Sequence, residues 1–196
     1  MKPVPFDHVL PVEQWERMRP LLRPLFIHEK ERRRQAVGPH LTLLFENVQT
    51  VWYQVEEMIR SEHTVNPHLI QEELDVYNAL LPRSGELSAT LFVEYADAAE
   101  RDQALRQLAG IEHHLWLRLG EKRVPARFDA EQIGEGQISA VQFVRFTPGI
   151  DADRFVELAD AGTLRIEFDH PFLVTSEAIG GVIARALAED LRVDSE

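Results

Sequence analysis

The chain of 196 residues contains no cysteine. This absence excludes disulfides, thiolate nucleophiles, zinc sites built on cysteine and iron–sulfur clusters held by cysteine in the usual way. Any metal ion bound by the protein must therefore be held by histidines and carboxylates.

Long apolar runs and excess positive charge are also missing. No segment approaches the roughly 20 apolar residues that span a bilayer, and the first residues lack the apolar stretch of a signal peptide. We therefore expect a cytoplasmic protein without a membrane span. The net charge of -12 argues against nonspecific binding to nucleic acid or to an anionic membrane.

The familiar catalytic motifs are absent as well. The sequence has no phosphate-binding glycine loop, no Gly-x-Gly-x-x-Gly, no Gly-x-Ser-x-Gly and no His-Glu-x-x-His. Nucleotide hydrolysis, Rossmann-type hydride transfer and zincin proteolysis therefore have no support in the sequence.

The residues that are present indicate one α+β domain spanning 1–196. This length supports one sizeable core, and a composition of 44% hydrophobic and 28% charged residues is typical of globular proteins. Alternating helix and strand patterns predict a mixed or antiparallel sheet of about six strands packed against several helices. Pro20 and Pro24 predict that the first helix forms two pieces or one kinked helix, and the closing helix is expected over 176–191.

Two of the predicted helices form an antiparallel pair after the short buried strand 41–45. Thr50 is the expected N-cap of the first of these helices. Asn66 and Pro67 give the start signal of the second, with Asn as the cap and Pro at the first helical position.

Polar side chains are concentrated on this helix pair. Three- and four-residue spacings place them on shared helix faces that face each other. The candidate ligand-binding residues on the pair are Gln54, Glu57, Arg60, Glu73, Tyr77 and Asn78. A solvated outer face explains the same pattern without any site.

Metal binding is the second chemistry that the sequence allows. Carboxylates from facing helices begin many bundle-type metal sites, which makes Glu57 and Glu73 candidate ligands. His40 precedes a predicted strand and His170 follows one, so both are expected where loops gather at strand ends. An ordinary capping or surface role competes with metal binding for each histidine.

A basic run, Lys30 with Arg32, Arg33 and Arg34, is unusual in so acidic a chain. Arginine forks match the geometry of phosphate and carboxylate groups, so this run could accept an anionic ligand or an acidic partner. The competing interpretation is that these residues complement the C-terminal dipole of a helix and pair with Glu29 and Glu31.

Three segments together resemble DUF3501, a bacterial family of unknown function. They run from Gly38-Pro39-His40 to Glu46, from Thr50 to Arg60, and from Glu73 to Asn78. The likeness continues through 87–94. The motif positions that match the family are Arg33 and the six polar positions of the helix pair, so Arg33 is the seventh candidate ligand-binding residue. The resemblance implies no activity, but it implies a part in oxidative-stress or redox metabolism alongside rubrerythrin-type proteins.

Three hypotheses follow for function. The first is an accessory or ligand-binding protein that docks on a redox protein or presents a small anion site. The second is a His/carboxylate metal-dependent enzyme. The third is a homo-oligomer that pairs through a sheet edge or an apolar helix stripe.

Overall fold

A computed structural model describes residues 1–134 and 136–193. Its α-helices are α1 (Val12–Glu31), α2 (Val48–Glu62), α3 (Pro67–Asn78), α4 (Ala98–Gln107), α5 (Ala152–Asp160) and α6 (Gly181–Leu191). Among the residues described, none of the helices combines the length and apolar character needed to cross a membrane.

The strands form two antiparallel sheets. In chain order they are β1 (Arg34–Val37), β2 (Leu41–Phe45), β3 (Leu87–Val93), β4 (Leu115–Leu119), β5 (Lys122–Pro125), β6 (Arg127–Phe128), β7 (Val141–Phe146), β8 (Leu164–His170) and β9 (Leu173–Ala178). The first sheet has the order β1-β2-β3-β7-β6 and the second the order β5-β4-β8-β9. The α+β prediction is confirmed, with two sheets where one was expected.

Two edge strands, β1 and β9, add to the number of strands expected from the sequence. β1 lies in the charged run after α1 and pairs with β2 through a hairpin in which Gly38 adopts a positive φ of 66°. β9 pairs with β8 and occupies 173–178, so the closing helix begins at Gly181 and not at Ser176. An edge strand is paired on one side only and exposes polar side chains. Its sequence pattern therefore resembles that of a loop or a helix.

The first helix continues through both of its prolines. α1 runs unbroken from Val12 to Glu31 with Pro20 and Pro24 inside it. Aromatic contacts with α2 hold it on either side of the prolines: Trp15 packs edge-on against Trp52, and Phe26 stacks on Tyr53. Tertiary packing thus outweighs the local penalty for proline.

The start of α2 corrects the predicted cap. Asn47 is the N-cap, and its side chain accepts hydrogen bonds from the backbone of Gln49 and Thr50. Thr50 is the third helical residue, and its hydroxyl accepts from the backbone N–H of Asn47, which completes a capping box. α3 begins as predicted, with Asn66 as cap and Pro67 as its first residue.

The first sheet separates two groups of buried side chains. One face of β2, β3 and β7 carries residues such as Leu43, Leu91 and Val144, which join the main core with residues of the second sheet and of α4, α5 and α6. A smaller cluster, which includes Val55 and Leu74, holds the helices α2 and α3 together. The helical layer therefore has its own core, and the opposite face of the first sheet meets it.

Candidate functional site

A cavity of about 310 Å³ lies where the helices α1, α2 and α3 meet the first sheet. We call it the sheet–helix cavity. Most of its exposed lining is apolar, and a few polar groups converge within it. The residues that line it are Lys30, Arg34, Leu44, Glu46, Thr50, Val51, Gln54, Tyr77, Leu80, Thr90, Phe92, Val141 and Phe143.

Strand register explains the floor of the cavity. Leu44 on β2 pairs with Thr90 on β3, and Thr90 pairs with Phe143 on β7, so these three residues form one row across the sheet. Phe92 and Val141 form a second pair on the same face, because alternate residues of a strand share a side. The floor is thus apolar except for the hydroxyl of Thr90.

The carboxylate of Glu46 is the most enclosed charged group of the cavity. Only 8% of this residue is exposed. The hydroxyl of Thr90 donates to Oε1 at 2.6 Å, and the hydroxyl of Thr50 donates to Oε2 at 2.5 Å. Each carboxylate oxygen therefore has one neutral donor, and the N-terminus of α2 lies beside it, where a negative charge is favoured.

Two cations from the end of α1 and the start of β1 line the same cavity. The Lys30 ammonium lies 5.0 Å from the ring centre of Tyr53. Burial lowers the pKa of Lys30, and the nearby charge of Glu46 opposes that change. Within the described chain Lys30 makes no ion pair, and the carboxylate nearest to Arg34 is that of Glu94, with Nη1 and Oε1 3.9 Å apart.

Two of the predicted ligand-binding residues meet in this cavity. Gln54 of α2 and Tyr77 of α3 both line it, with their side chains close enough to interact. Burial raises the pKa of Tyr77, so its hydroxyl stays protonated near neutral pH. The predicted meeting of the two helices is therefore seen at this pair.

Glu57 and Arg60 lie on another face of α2, against α1. The Glu57 carboxylate accepts from Arg19 at 2.7 and 2.9 Å and from the indole N–H of Trp15 at 3.1 Å. Arg60 reaches Glu16 at 3.4 Å. Burial opposes ionisation of Glu57, but the hydrogen bonds from Arg19 and Trp15 lower its pKa overall. These residues fasten α1 to α2 and stand outside the cavity.

Arg33 and Asn78 are occupied by neighbouring chain segments. Arg33 is 1% exposed, and its guanidinium donates to Glu29 at 2.5 Å and to Asp190 at 2.6 and 3.0 Å. The Asn78 side chain accepts from the backbone N–H of Val4 and donates to its carbonyl. Neither residue lines the sheet–helix cavity, so the seven predicted residues do not form one site.

The four candidate metal ligands have separate surroundings. His40 stacks on Tyr95 with ring centres 3.9 Å apart. His170 accepts from the backbone N–H of Phe172 at Nδ1, so its Nε2 carries the proton that is donated to the carbonyl of Ala109 at 3.1 Å. Both ring nitrogens of His170 are thereby used within the fold.

Glu57 is held by Arg19, as described above, and Glu73 lies close to other carboxylates. Burial raises the pKa of Glu73, and the charges of Glu62 and Glu72 add to the effect. The described part of the chain contains no group of three or more His, Asp or Glu side chains that could hold a metal ion. The geometry therefore does not unite His40, Glu57, Glu73 and His170.

Sequence reasoning missed Glu46, Thr50 and Thr90 as members of a site. The local pattern indicates Thr50 as a cap and puts Glu46 directly after the buried strand 41–45. A strand with apolar residues on both faces, such as 41–45, must be covered on both sides, and this was the available signal that a polar residue at its end would be buried.

The fold and this cavity define a class: an α+β protein with a small, mostly apolar cavity and a few convergent polar groups, as is typical of small-molecule sites. A family model described as a protein of unknown function, DUF3501, matches residues 3–191, and the chain belongs to that family.

One solved structure is similar over nearly the whole chain. It is described as a novel protein of unknown function from Burkholderia pseudomallei K96243, with 34% sequence identity and a TM-score of 0.86. The comparison covers 97% of this chain and 100% of that one. A comparison with curated proteins found no match. Neither likeness names an activity.

Proposed function

We propose that this protein binds a small molecule with an apolar body and one anionic group in the sheet–helix cavity. The observation that carries this proposal is the pair of cations, Lys30 and Arg34, lining an otherwise mostly apolar cavity without a close ion pair in the part of the chain that is described. A volume of about 310 Å³ lies at the lower end of the range for ligand pockets, which favours a small ligand.

The charges within the cavity favour a single negative charge on the ligand. Lys30 and Arg34 face one carboxylate, Glu46, whose oxygens already accept from Thr50 and Thr90. Arg34 is exposed and has Glu94 nearby, whereas the Lys30 ammonium is partly buried without an ion pair in the described chain, and leaving it without a counter-ion costs free energy. A carboxylate on the ligand removes that cost, while its apolar part packs against the row on the sheet.

Hydrogen-bonding groups in the cavity give the ligand an orientation. Gln54 and Tyr77 lie on the helix side, whereas Leu44, Phe92 and Phe143 lie on the sheet side. A ligand that directs its polar end toward the helices satisfies both sets of contacts. Binding is the use that this arrangement supports, because cations, hydrogen-bonding groups and apolar residues all line one cavity.

The test is a calorimetric titration of the purified chain with three ligands of equal length: hexanoate, hexanamide and hexylamine. We expect hexanoate to bind and hexanamide to bind about tenfold more weakly or not at all, because only the carboxylate pairs with the cations. Equal affinity for hexanoate and hexanamide, or preference for hexylamine, would contradict the proposed charge of the ligand.

Two variants locate the binding. Lys30→Met should weaken hexanoate binding by about tenfold and leave hexanamide unchanged, since it removes a charge and keeps the apolar stem. Lys2→Met removes an exposed lysine that does not line the cavity and is the matched control. If Lys30→Met binds hexanoate as the parent does, the sheet–helix cavity is not the site.

The wider role remains a prediction supported by the family resemblance. We propose a cytoplasmic accessory protein in oxidative-stress or redox metabolism, with a redox protein as partner. Co-purification with a rubrerythrin-type protein from the same organism, abolished by competition with untagged protein, is the expected result. Native mass spectrometry of the untagged chain would show self-association if the homo-oligomer hypothesis holds.

The metal-dependent enzyme stays an untested alternative without a favouring geometry in the described residues. Elemental analysis of untagged protein purified without chelator tests it directly. A near-stoichiometric transition metal that is lost in the Glu57→Gln or Glu73→Gln variant would replace the binding proposal with the enzyme hypothesis.

A further inference from the structure

A second cavity, of about 610 Å³, adjoins the sheet–helix cavity near the end of α3. We call it the arginine cavity. Leu80 and Phe143 line both cavities, so the two are neighbours. Three guanidinium groups, those of Arg83, Arg127 and Arg145, line the arginine cavity. They come from the loop after α3, from β6 and from β7, so the fold brings together cations that are far apart in sequence.

One buried carboxylate orients two of these arginines. Glu86 is 8% exposed; its Oε1 accepts from Arg127, and its Oε2 accepts from Arg145 at 3.3 Å. Arg145 also donates to the carbonyls of Ala79 and Leu81, at the end of α3. These contacts fix the guanidinium groups before any ligand arrives, and preorganised donors bind an anion at a lower entropic cost.

The third arginine adds charge without a carboxylate of its own. Arg83 is exposed and makes no ion pair within the described residues. Burial lowers the pKa of Arg145; the charge of Glu86 opposes this change, and the charges of Arg83 and Arg127 add to it. Two carboxylates, Glu86 and Asp129, lie among them, so one positive charge remains in excess.

Cations that line one cavity are stabilised by an anion that binds among them. Three guanidinium groups from three elements match a ligand with several oxygens on a tetrahedral centre better than they match a carboxylate with two oxygens. Ser88 lines the same cavity and offers a further hydroxyl. We propose that the arginine cavity binds the phosphoryl group of a small phosphate monoester. This site is distinct from the sheet–helix cavity and does not depend on the function proposed for it.

The test is a titration at low salt with inorganic phosphate, phenyl phosphate and benzoate, followed by calorimetry and amide chemical shifts. We expect phenyl phosphate to bind at least about tenfold more tightly than benzoate, because its extra oxygen and charge engage the third arginine. Shifts should concentrate on residues of β6, β7 and the loop after α3. If benzoate binds as tightly as phenyl phosphate, or neither phosphate compound binds, the assignment is wrong.

Variants of the outer arginines separate this site from the first one. Arg83→Gln and Arg127→Gln should each weaken phenyl phosphate binding by about tenfold and leave hexanoate binding unchanged. Arg154→Gln, on α5, is the control, because its partner Glu157 lies elsewhere. Arg145 is kept, since its contacts to two carbonyls stabilise the fold. Unaltered phosphate binding in both variants would overturn the proposal even where hexanoate binds as expected.

Discussion

The charged segment at the end of α1 contains two groups of residues with different surroundings. Glu29 and Arg33, four residues apart, turn toward α6, where Asp190 completes a buried ion cluster. Lys30 and Arg34, one position further along, line the sheet–helix cavity. The same run of sequence therefore supplies a structural cluster on one side and a candidate site on the other.

The difference lies in whether the groups satisfy one another. Every nitrogen of the Arg33 guanidinium donates to a carboxylate, and Glu29 also accepts from Asn47 at 2.8 Å. Burial opposes ionisation of Glu29, yet hydrogen bonds from Arg32 and Arg33 hold its pKa below the usual value. Lys30 has no such carboxylate within the described chain. Polar groups that pair with one another, which we call closed, stabilise the fold. Polar groups without a partner, which we call open, are available to a ligand.

The largest expected effect on stability comes from removing the cation of the buried cluster of Glu29, Arg33 and Asp190. Arg33→Met should lower the free energy of unfolding by about 3–5 kcal/mol, because Asp190 would remain buried without a cation and Glu29 would keep only Arg32. Urea unfolding at neutral pH measures this loss. Lys30→Met, its counterpart from the open group, should cost less than about 1 kcal/mol, since no ion pair is broken. Equal losses of stability in the two variants would contradict the distinction between closed and open groups.

A buried carboxylate without a cation offers the next test. Glu56 is 1% exposed, accepts only from the backbone N–H of Leu10, and its Oε2 has no hydrogen-bond partner in the described chain. Burial raises its pKa to about 7. The folded state therefore binds a proton that the unfolded state releases, and the stability from Glu56 falls as the pH rises from about 4.5 to about 7.

Glu56→Gln should remove this dependence. The amide keeps an acceptor for Leu10 and carries no charge, so the variant should be more stable than the parent by roughly 2–3 kcal/mol at pH 8 and nearly equal to it at pH 4. Urea unfolding at both pH values measures the difference. Glu13→Gln, an exposed position on α1, is the control. A variant that is no more stable at pH 8 would show that the Glu56 charge is compensated.

The sequence predicted much of the fold and only part of the candidate site, for a physical reason. Asn66 and Pro67, or the apolar run 41–45, act locally, so their patterns indicated α3 and β2 correctly. Gln54 and Tyr77 were found because helix spacing fixes which residues share a face. The contact of Arg33 with Asp190 and that of Glu46 with Thr90 join residues 157 and 44 positions apart, which no local period records.

A smaller effect is expected where a partly exposed cluster is opened. Glu57→Gln removes the charge that Arg19 grips in two hydrogen bonds but leaves an acceptor for Trp15. We expect a loss of about 1 kcal/mol in urea unfolding and no change in hexanoate binding, because Glu57 does not line the cavity. A folded Glu57→Gln variant that no longer binds hexanoate would show that Glu57 belongs to the ligand site.

The smallest effect should have the opposite sign. Burial and the charges of Glu62 and Glu72 raise the pKa of Glu73, so its ionised form destabilises the fold at neutral pH. Glu73→Gln removes that charge, and we expect a gain of no more than about 0.5 kcal/mol at pH 7 that shrinks as the pH falls through the ordinary glutamate range, because the unfolded chain then also binds the proton. Glu13→Gln, the exposed control used for Glu56, serves as the control here as well. A clear loss of stability at pH 7 would mean that Glu73 has a favourable partner and belongs with the closed groups.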